Sequence, residues 1–596
     1  MPSREDPSRF GRRVALQALR LPQGTPGERL VPVHGASASW RRLEEVAPWL
    51  AAALSATAIL VTVWLCVGLS QALWLTGLGI WWVSPGIVAL ARAYRARQGR
   101  WGMALLLGPS VGYALSSLVL LAVWMAGGRS GWWLIAAPVI ATAVAVWTPS
   151  LGARIDVPRF GRRDVTAMAL LALLVPAIVA RPYSLVGEDL PEGRAYRAYF
   201  TADFVWAMAV VSEVSKGDVL PENPFHLDMP LHYYWLAHLY PALEHRVLGR
   251  DVRLDALLLA DATLAGVTFV GFLYALGKQL TRAVAPTVLG VVVAVLFTSP
   301  EGLYALFDLW RQDRPLSLVR YLNIDAVSRW FFGALPIDGL HRVLLYQPQH
   351  QIGYALACGA LLVMVQQAPH PQVRAAGLAG ALLGLGVLVS TFSALMAAVM
   401  IAAVALLAIV GARAWKVGAL QAIAGAIPVL AAVWLSRRLE DVTGGGQLID
   451  VMPNPLAVRH PLSGPAVSMG ILLLTLAVGV WLWARARRGH ARVLLPGVAF
   501  VVCVFFYFFV DVRDHQDVYV GWRAGHLIFI TCAGALGWTW WRIVHQRARR
   551  WSVAGVSMLA VTCLLQAPTV AIDLYNVQDI TNREVAAGFP WTLMLG

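Results

Sequence analysis

Charged residues are scarce in this chain, and the scarcity determines its class. Only 14% of the 596 residues are charged and 58% are hydrophobic, with a mean hydropathy of +0.63. Soluble domains carry roughly 25% charged residues. Long apolar runs with so little charge indicate a polytopic membrane protein. Because the apolar runs are long enough to span the membrane as helices, the predicted fold class is an all-α bundle of transmembrane helices.

Lysine is almost absent, so the net charge of +15 comes from arginine; the three lysines are Lys216, Lys278 and Lys416. In a membrane protein an excess of arginine is typical of cytoplasmic loops facing anionic lipid. The sequence has no basic patch interleaved with aromatics and no zinc or helix-turn-helix spacing. A nucleic-acid partner is therefore not expected.

Cysteine is also rare, and none of the five cysteines has a partner at metal-ligand spacing or lies in a loop where a disulfide is expected. All five fall within apolar runs, where they are interpreted as small core residues. They are Cys66, Cys358, Cys503, Cys532 and Cys563.

Apolar runs, by contrast, are abundant. A helix needs about 20 mostly apolar residues to span the hydrocarbon core. That criterion predicts about fifteen spans, within 47–68, 70–90, 101–126, 132–149, 164–181, 254–277, 283–299, 351–367, 375–390, 393–412, 415–435, 466–484, 493–510, 522–541 and 551–571.

The distribution of arginine predicts the orientation. Residues 1–46 carry eight arginines, which places the N-terminus in the cytoplasm, and every later connection on that side is basic as well. The carboxylate-rich connections then face outwards. They are residues 182–253, 300–350, 436–465 and 511–521, and the tail from 572. The predicted location is a plasma (inner) membrane of bacterial type, with several passes and an extracytoplasmic C-terminus.

Four parts are predicted on this basis. Residues 1–46 form an arginine-rich cytoplasmic tail, and 47–163 form a four-helix transmembrane unit. Residues 164–571 form a transmembrane core, whose first outer loop is 182–253, and 572–596 form an extracytoplasmic tail. Within the loop, 231–249 is predicted to be an amphipathic helix in the outer interface, with Tyr233, Tyr234 and Trp235 at the level of the lipid headgroups.

The first outer loop holds the candidate acids. Eight carboxylates lie between residues 182 and 230. Asp203 starts a predicted helix, where an aspartate serves either as an N-terminal cap or as a general base. Glu188 and Asp189 directly follow the fifth span, and they are either a solvated helix exit or a second acid or metal ligand. A divalent cation is compatible with these acids, although no EF-hand spacing is present.

Polar and aromatic residues at the outer ends of the spans are candidate ligands for a substrate. His232 and His238 are six residues apart, so on a helix they project from different faces and are not expected to share a metal. Gln349 and His350 start the eighth span, where they either cap the helix or bind sugar hydroxyls. Arg523 and His526 start the fourteenth span; Arg523 is either a snorkelling anchor or a ligand for lipid phosphate.

The first outer loop resembles that of C-type glycosyltransferases, a superfamily of polytopic membrane enzymes. The shared pattern is an acid, an apolar helix, a Gly-Asp turn, a proline and an aromatic helix. Here it comprises Asp203, Gly217-Asp218, Pro221 and the run from Pro230 to Trp235. The Pro-Glu-Asn-Pro turn at 221–224, followed by Tyr233-Tyr234 and His238, looks most like uncharacterised members of that superfamily.

The resemblance implies a bundle of the same type with extracytoplasmic juxtamembrane helices. It also implies transfer of a sugar from a polyprenyl-phosphate donor to a glycan, lipid or protein acceptor of the cell envelope. Asp203 would match the catalytic base of an inverting reaction, and Arg523 a contact to the carrier phosphate. Arginines of 300–350 are further candidates for that contact.

Two other classes of protein remain open at the level of sequence. A transporter or flippase of lipid-linked substrates is expected to have ionisable residues inside its spans and two related halves. In this sequence the acids concentrate at span ends and no internal repeat is evident. A structural membrane protein has no need for eight acids and two histidines in one outer loop.

Overall fold

A computed structural model describes residues 38–575 of the chain. Within that range it leaves out positions 98, 153, 192, 197–202, 226–228, 232, 322–326, 328–332, 346–347, 369, 440–448, 487–493, 513–518 and 546–548. Of the predicted cytoplasmic tail 1–46, residues 1–37 lie outside the described residues, and residues 38–46 belong to the first helix. The C-terminal residues from 576 also lie outside the described residues.

The first half of the chain folds into a set of long helices and shorter helical segments. They are α1 (Ala38–Val67), α2 (Leu69–Ala93), α3 (Arg100–Met125), α4 (Trp133–Ala145), α5 (Arg162–Ser184), α6 (Asp203–Ser215), α7 (Leu239–Leu248), α8 (Leu254–Thr281), α9 (Val284–Leu296) and α10 (Glu301–Arg311).

The second half continues the pattern. Its helices are α11 (Leu340–Leu345), α12 (Pro348–Gln367), α13 (Val373–Val389), α14 (Thr391–Ala412), α15 (Trp415–Leu439), α16 (Pro455–Arg459), α17 (Ser463–Met469), α18 (Ile471–Ala486), α19 (Leu494–Phe509), α20 (Tyr519–Val544) and α21 (Arg549–Tyr575). Short 3₁₀ helices occupy Trp235–His238, Gly249–Asp251 and Leu316–Tyr321.

Four short strands depart from the all-α prediction. β1 (Val186–Leu190) pairs antiparallel with β2 (Gly193–Tyr196) directly after α5. β3 (Ile449–Val451) pairs antiparallel with β4 (Val510–Val512). The second pair joins two of the predicted outer regions that are far apart in the sequence. Both strand pairs lie in connections between helices, and the helices form the bundle.

Membrane spanning is supported by length and composition. Nine helices within the described ranges are long and apolar enough to cross a membrane, or up to eleven if the bent pairs α9–α10 and α17–α18 each count as one span. The predicted spans 132–149, 375–390 and 493–510 correspond to the shorter helices α4, α13 and α19. The polytopic all-α class is confirmed, whereas the count of fifteen stays a prediction.

The outer surface of the bundle is apolar where lipid would contact it. Along α15, Ile423, Ile427, Leu430 and Trp434 are each between 59% and 65% exposed. They recur every three or four residues, so they form one stripe along the helix. Such a stripe is unfavourable in water and is stable against hydrocarbon, which agrees with the hydropathy of the sequence.

Helix α8 is the centre of the bundle, because all but one of its 28 residues are buried. It packs against helices from both predicted transmembrane parts, including α1, α3, α5, α12 and α20. The predicted four-helix unit therefore contacts the core along α8. Within that unit α2 and α3 touch at backbone level, since a Cβ on Gly86 would lie 2.0 Å from the carbonyl oxygen of Gly108.

Ion pairs close the end of the bundle that the arginine pattern assigns to the cytoplasm. Lys278 on α8 lies 2.7 Å from Asp164 on α5, and the Tyr274 hydroxyl donates to the same carboxylate. Arg282 pairs with Asp156. Because Lys278 and Asp164 are almost fully buried, each charge needs the other to be tolerated there.

The segment 231–249 differs from its prediction. Its first half is a series of tight turns and a 3₁₀ turn, and only Leu239–Leu248 is an α-helix. The depth at headgroup level stays a prediction, but Tyr234 and Trp235 are 8% and 2% exposed and pack inside the protein, so they do not contact lipid as an interfacial helix would. The physical reason is that α3 and α6 cover this segment from two sides.

Candidate active site

Two tyrosines from the first outer loop form the centre of the candidate site. The Tyr233 backbone N–H donates to the Leu231 carbonyl, and the Trp235 N–H donates to the Tyr233 carbonyl, at 2.9 and 3.0 Å. These three-residue turns compress the chain. As a result the rings of Tyr233 and Tyr234 stack with centroids 4.4 Å apart.

Tyr233 connects three elements. Its hydroxyl accepts a hydrogen bond of 3.1 Å from Nε2 of Gln349 at the start of α12. Its ring lies edge to face with Trp206 of α6, at 5.9 Å between centroids. The ring of His238 stacks on it at the same separation. The first outer loop is thereby fixed against the α12 entrance.

Tyr234 faces the fourteenth predicted span. Nη2 of Arg523 on α20 lies 3.5 Å from the Tyr234 hydroxyl, at the limit of a hydrogen bond. His350 lies edge to face with the same tyrosine, at 6.2 Å between ring centroids. Arg523 and His526 are three residues apart, so they share one face of α20. His526 Nδ1 lies 2.9 Å from the hydroxyl of Tyr354 on α12.

These contacts bring together seven of the predicted substrate ligands, although they come from three distant parts of the chain. We refer to them as the tyrosine–histidine cluster, which consists of Tyr233, Tyr234, His238, Gln349, His350, Arg523 and His526. Five of the seven are buried, Tyr233 and His350 are partly exposed, and Gln349 and His238 are fully buried.

The cluster has a basic character. Arg523, His526 and His238 all exert an electrostatic effect on His350. Burial lowers the pKa of His238 to about 4, so this imidazole is neutral at physiological pH. Neither of its ring nitrogens has a hydrogen-bond partner among the described residues. A neutral imidazole offers one donor and one acceptor, which suits a hydroxyl-bearing ligand.

The remaining predicted site residues are only partly described. Asp203 is the first residue of α6, one helical turn before Trp206, and the description covers its backbone only. Glu188 and Asp189 lie on β1, opposite Ala195 and Arg194 of β2, and not on a helix exit. Their side chains and the whole of His232 lie outside the described residues.

A second group of charged residues lies beside the cluster and was not predicted. Arg342 on α11 is fully buried and is bound by three carboxylates. Its nitrogens lie 2.9 Å from Asp338, 2.8 Å from Asp573 and 3.5 Å from Glu301. We call these four residues the Arg342 network. Nε2 of His341 lies 2.6 Å from Asp573 as well.

The network changes one expectation about phosphate contacts. Arginines of 300–350 are candidates from the sequence, but the guanidinium of Arg342 is already engaged by carboxylates. The only local signal for this pairing is the spacing of four residues between Asp338 and Arg342. Asp573 is 231 residues away, so its part in the network has no signature in the sequence.

Within the described ranges, no group of three or more His, Cys, Asp or Glu side chains converges in a way that could hold a metal ion. The divalent cation expected from the acidic loop therefore stays a prediction.

Comparisons of the chain with protein-family models, with curated proteins and with solved structures found no match.

Proposed function

We propose that this chain is a C-type glycosyltransferase of the plasma (inner) membrane. It takes a sugar from a polyprenyl-phosphate donor and transfers it, with inversion, to a glycan, lipid or protein acceptor of the cell envelope. The proposal includes a glycosyltransferase-like bundle of about fifteen spans, with its site at the extracytoplasmic face. Its starting point is the sequence pattern that runs from Asp203 to His238.

The observation that carries the proposal is the assembly of the tyrosine–histidine cluster. Residues chosen separately from the first outer loop, the start of α12 and the start of α20 meet at one place. The helix that starts at Asp203 packs against the same place through Trp206. A site that combines aromatic rings, amide and imidazole groups and one guanidinium can bind a sugar phosphate.

The proposed roles follow from this chemistry. Asp203 accepts the proton of the acceptor hydroxyl while its oxygen attacks the anomeric carbon from the face opposite the carrier. The bond between that carbon and the phosphate oxygen breaks, and polyprenyl phosphate leaves with the electron pair. Arg523 stabilises the departing phosphate. Gln349, His238 and His350 bind sugar hydroxyls, and His232 and the acids Glu188 and Asp189 support the acceptor side.

One observation favours the alternative of a transporter or flippase. The expectation that acids concentrate at span ends is wrong for Asp261, which lies two turns inside α8 and is 2% exposed. Glu244 on α7 is equally buried nearby. Buried acids inside spans are common in ion-coupled transporters. Sugar transfer forms a glycosylated product, whereas lipid translocation does not. An assay that detects this product therefore decides between the two functions.

That assay supplies purified protein with synthetic polyprenyl-phosphate sugars and cell-envelope acceptors, and it detects the glycosylated product. We expect turnover in the wild type and a loss of roughly 10²–10⁴-fold in Asp203→Asn, because the amide cannot accept the proton. Glu222→Gln removes an exposed acid from the same loop and is the matched control. Equal turnover in a folded Asp203→Asn protein would remove Asp203 from the reaction.

Orientation has its own test. A cysteine replacing the exposed Asp218 is expected to react with a membrane-impermeant maleimide added outside the cell. A cysteine replacing the exposed Arg159, in a predicted cytoplasmic connection, is expected to react only after permeabilisation. The reverse pattern would place the cluster in the cytoplasm and contradict transfer at the outer face.

A further inference from the structure

A small cavity with both polar and apolar lining lies outside the tyrosine–histidine cluster, between the four-helix unit and α7–α8. Its volume is about 10 Å³. Its polar lining consists of Thr76 on α2, Tyr240 and Glu244 on α7, and Asp261 on α8. Its apolar walls are Ile59, Val63, Leu75, Gly79, Ala260 and Leu264.

The two carboxyl groups of this cavity are almost completely removed from solvent. Glu244 and Asp261 are each 2% exposed. The lining contributed by α1 and α2 contains no charged residue. An isolated buried carboxylate is strongly unfavourable, so it either takes up a proton or binds a positive charge.

Tyr113 on α3 partly stabilises one of the two acids. Its hydroxyl lies 2.7 Å from Oδ2 of Asp261 and 2.7 Å from the Ala237 carbonyl, and it donates to one of them at a time. Burial raises the pKa of Glu244 well above its ordinary value, the Tyr240 hydroxyl lowers it, and the neighbouring charge of Asp261 raises it again. Two full negative charges on this buried pair are therefore unfavourable.

Four oxygen atoms of the cavity lining point to a bound ligand. Thr76 Oγ1, the Tyr240 hydroxyl, Glu244 Oε1 and Asp261 Oδ1 are buried and have no hydrogen-bond partner among the described residues. Thr76 itself is only 8% exposed. Buried acceptors of this kind are normally satisfied by water or by an ion.

Size and charge restrict the nature of that ligand. A volume of about 10 Å³ is close to the minimum for one water-sized particle. Mg²⁺ usually keeps several waters, and Ca²⁺ takes 6–8 oxygen ligands. Neither requirement fits a cavity this small. One unhydrated monovalent ion fits the volume and balances one carboxylate of the pair.

We propose that Asp261, Glu244 and Thr76 bind a sodium-sized monovalent cation between the four-helix unit and α7–α8. The site does not depend on the proposed sugar transfer. It is connected to the tyrosine–histidine cluster through Tyr113, whose hydroxyl also contacts the backbone of Ala237, the residue before His238.

Equilibrium binding of radioactive sodium to the purified full-length protein in detergent tests the proposal. We expect saturable binding by the wild type, competition by unlabelled Na⁺, and much weaker competition by K⁺. Asp261→Asn is expected to abolish binding. Thr76→Val keeps the shape of the side chain and removes one oxygen ligand, so it is expected to weaken binding about tenfold.

Ser117→Ala is the matched control. Ser117 lies on α3 outside this cavity, and its hydroxyl is buried like that of Thr76. This variant is expected to bind sodium like the wild type. Absence of saturable binding by the wild type, or wild-type binding by a folded Thr76→Val protein, would overturn the proposal. Thermal stabilisation on acidification with identical behaviour in sodium and choline chloride would also overturn it, since the pair would then bind only a proton.

Discussion

Two buried arginines of this protein differ in the groups that contact them. Arg342 is fully buried and bound by Asp338, Asp573 and Glu301. Arg523 is 5% exposed, and its guanidinium reaches the hydroxyl of Tyr234 among the aromatic and imidazole groups of the tyrosine–histidine cluster. Both arginines act electrostatically on His526, and the effect of Arg523 is the larger one.

The difference separates two uses of the same side chain. A guanidinium surrounded by carboxylates holds chain segments together, here α11, the start of α10 and the end of α21. A guanidinium that approaches tyrosine and histidine side chains presents its charge to an environment suited to sugars and phosphate. We therefore expect Arg342 to control stability and Arg523 to control activity.

The largest expected effect on stability concerns Arg342. Arg342→Met removes the positive charge and leaves three buried carboxylates, so we expect it to lower the free energy of unfolding by about 3–5 kcal/mol. Thermal unfolding in detergent measures the change. Arg311→Met removes an exposed arginine from neighbouring α10 and serves as the control. A stable Arg342→Met protein would mean that the network does not hold these helices together.

The opposite result is expected at Arg523. Arg523→Met is expected to lower the rate of sugar transfer by roughly 10²–10³-fold, because the departing phosphate loses its stabilising charge. Its thermal stability is expected to change much less than that of Arg342→Met. Arg523→Lys keeps the charge but loses the planar fork, so it should recover part of the rate. Full activity in Arg523→Met would contradict the expectation that Arg523 controls activity while Arg342 controls stability.

His238 gives a smaller effect that depends on pH. Burial lowers its pKa from an ordinary value of 6.5 to about 4 in the folded protein. Between those values the unfolded chain binds a proton that the folded protein does not, so stability falls as the pH falls through this window. One such proton changes the free energy of unfolding by about 1.4 kcal/mol per pH unit.

His238→Gln cannot titrate, so its stability should fall less steeply than that of the wild type from about pH 6.5 to about pH 4. Above that window the two slopes should agree. Parallel curves over the whole range would show that His238 is accessible to protons in the folded state, contrary to its complete burial.

The smallest expected effect belongs to Tyr233. Tyr233→Phe removes the hydroxyl that accepts the hydrogen bond from Gln349 and leaves the stacked ring in place. The expected loss is about 1 kcal/mol, seen as a modest rise in KM for the donor with little change in stability. Tyr575→Phe, at an exposed tyrosine, is the control. A loss as large as that of Arg523→Met would make Tyr233 a catalytic group.

The sequence predicted which residues belong to the tyrosine–histidine cluster better than it predicted the burial of the residues around them. Gln349 and Arg523 stand at the outer starts of apolar runs, whereas Tyr233 belongs to the aromatic run of the first outer loop that resembles C-type glycosyltransferases. This reasoning needs only local composition, the arginine pattern and that resemblance. It does not reveal that Trp235 and Glu244 are buried, because their burial depends on which helices cover them.

Pairing between distant segments was the main feature that sequence could not predict. Asp573 and Arg342 are each unremarkable in their own segments, and only the fold brings the end of α21 to α11. The strands β3 and β4 are three residues long, too short to leave a periodic pattern. The burial of Asp261 has no signature in the sequence for a related reason, since a single acid in an apolar run does not reveal its neighbours.

Binding of the carrier phosphate is the most direct test of the central claim, which is that the tyrosine–histidine cluster recognises a polyprenyl-phosphate donor. Native mass spectrometry of the detergent-solubilised protein with polyprenyl phosphate alone measures it without any need to know the sugar. We expect binding by the wild type and by Arg311→Met, and a loss of at least about tenfold in Arg523→Met. Equal binding by Arg523→Met and the wild type would contradict the account.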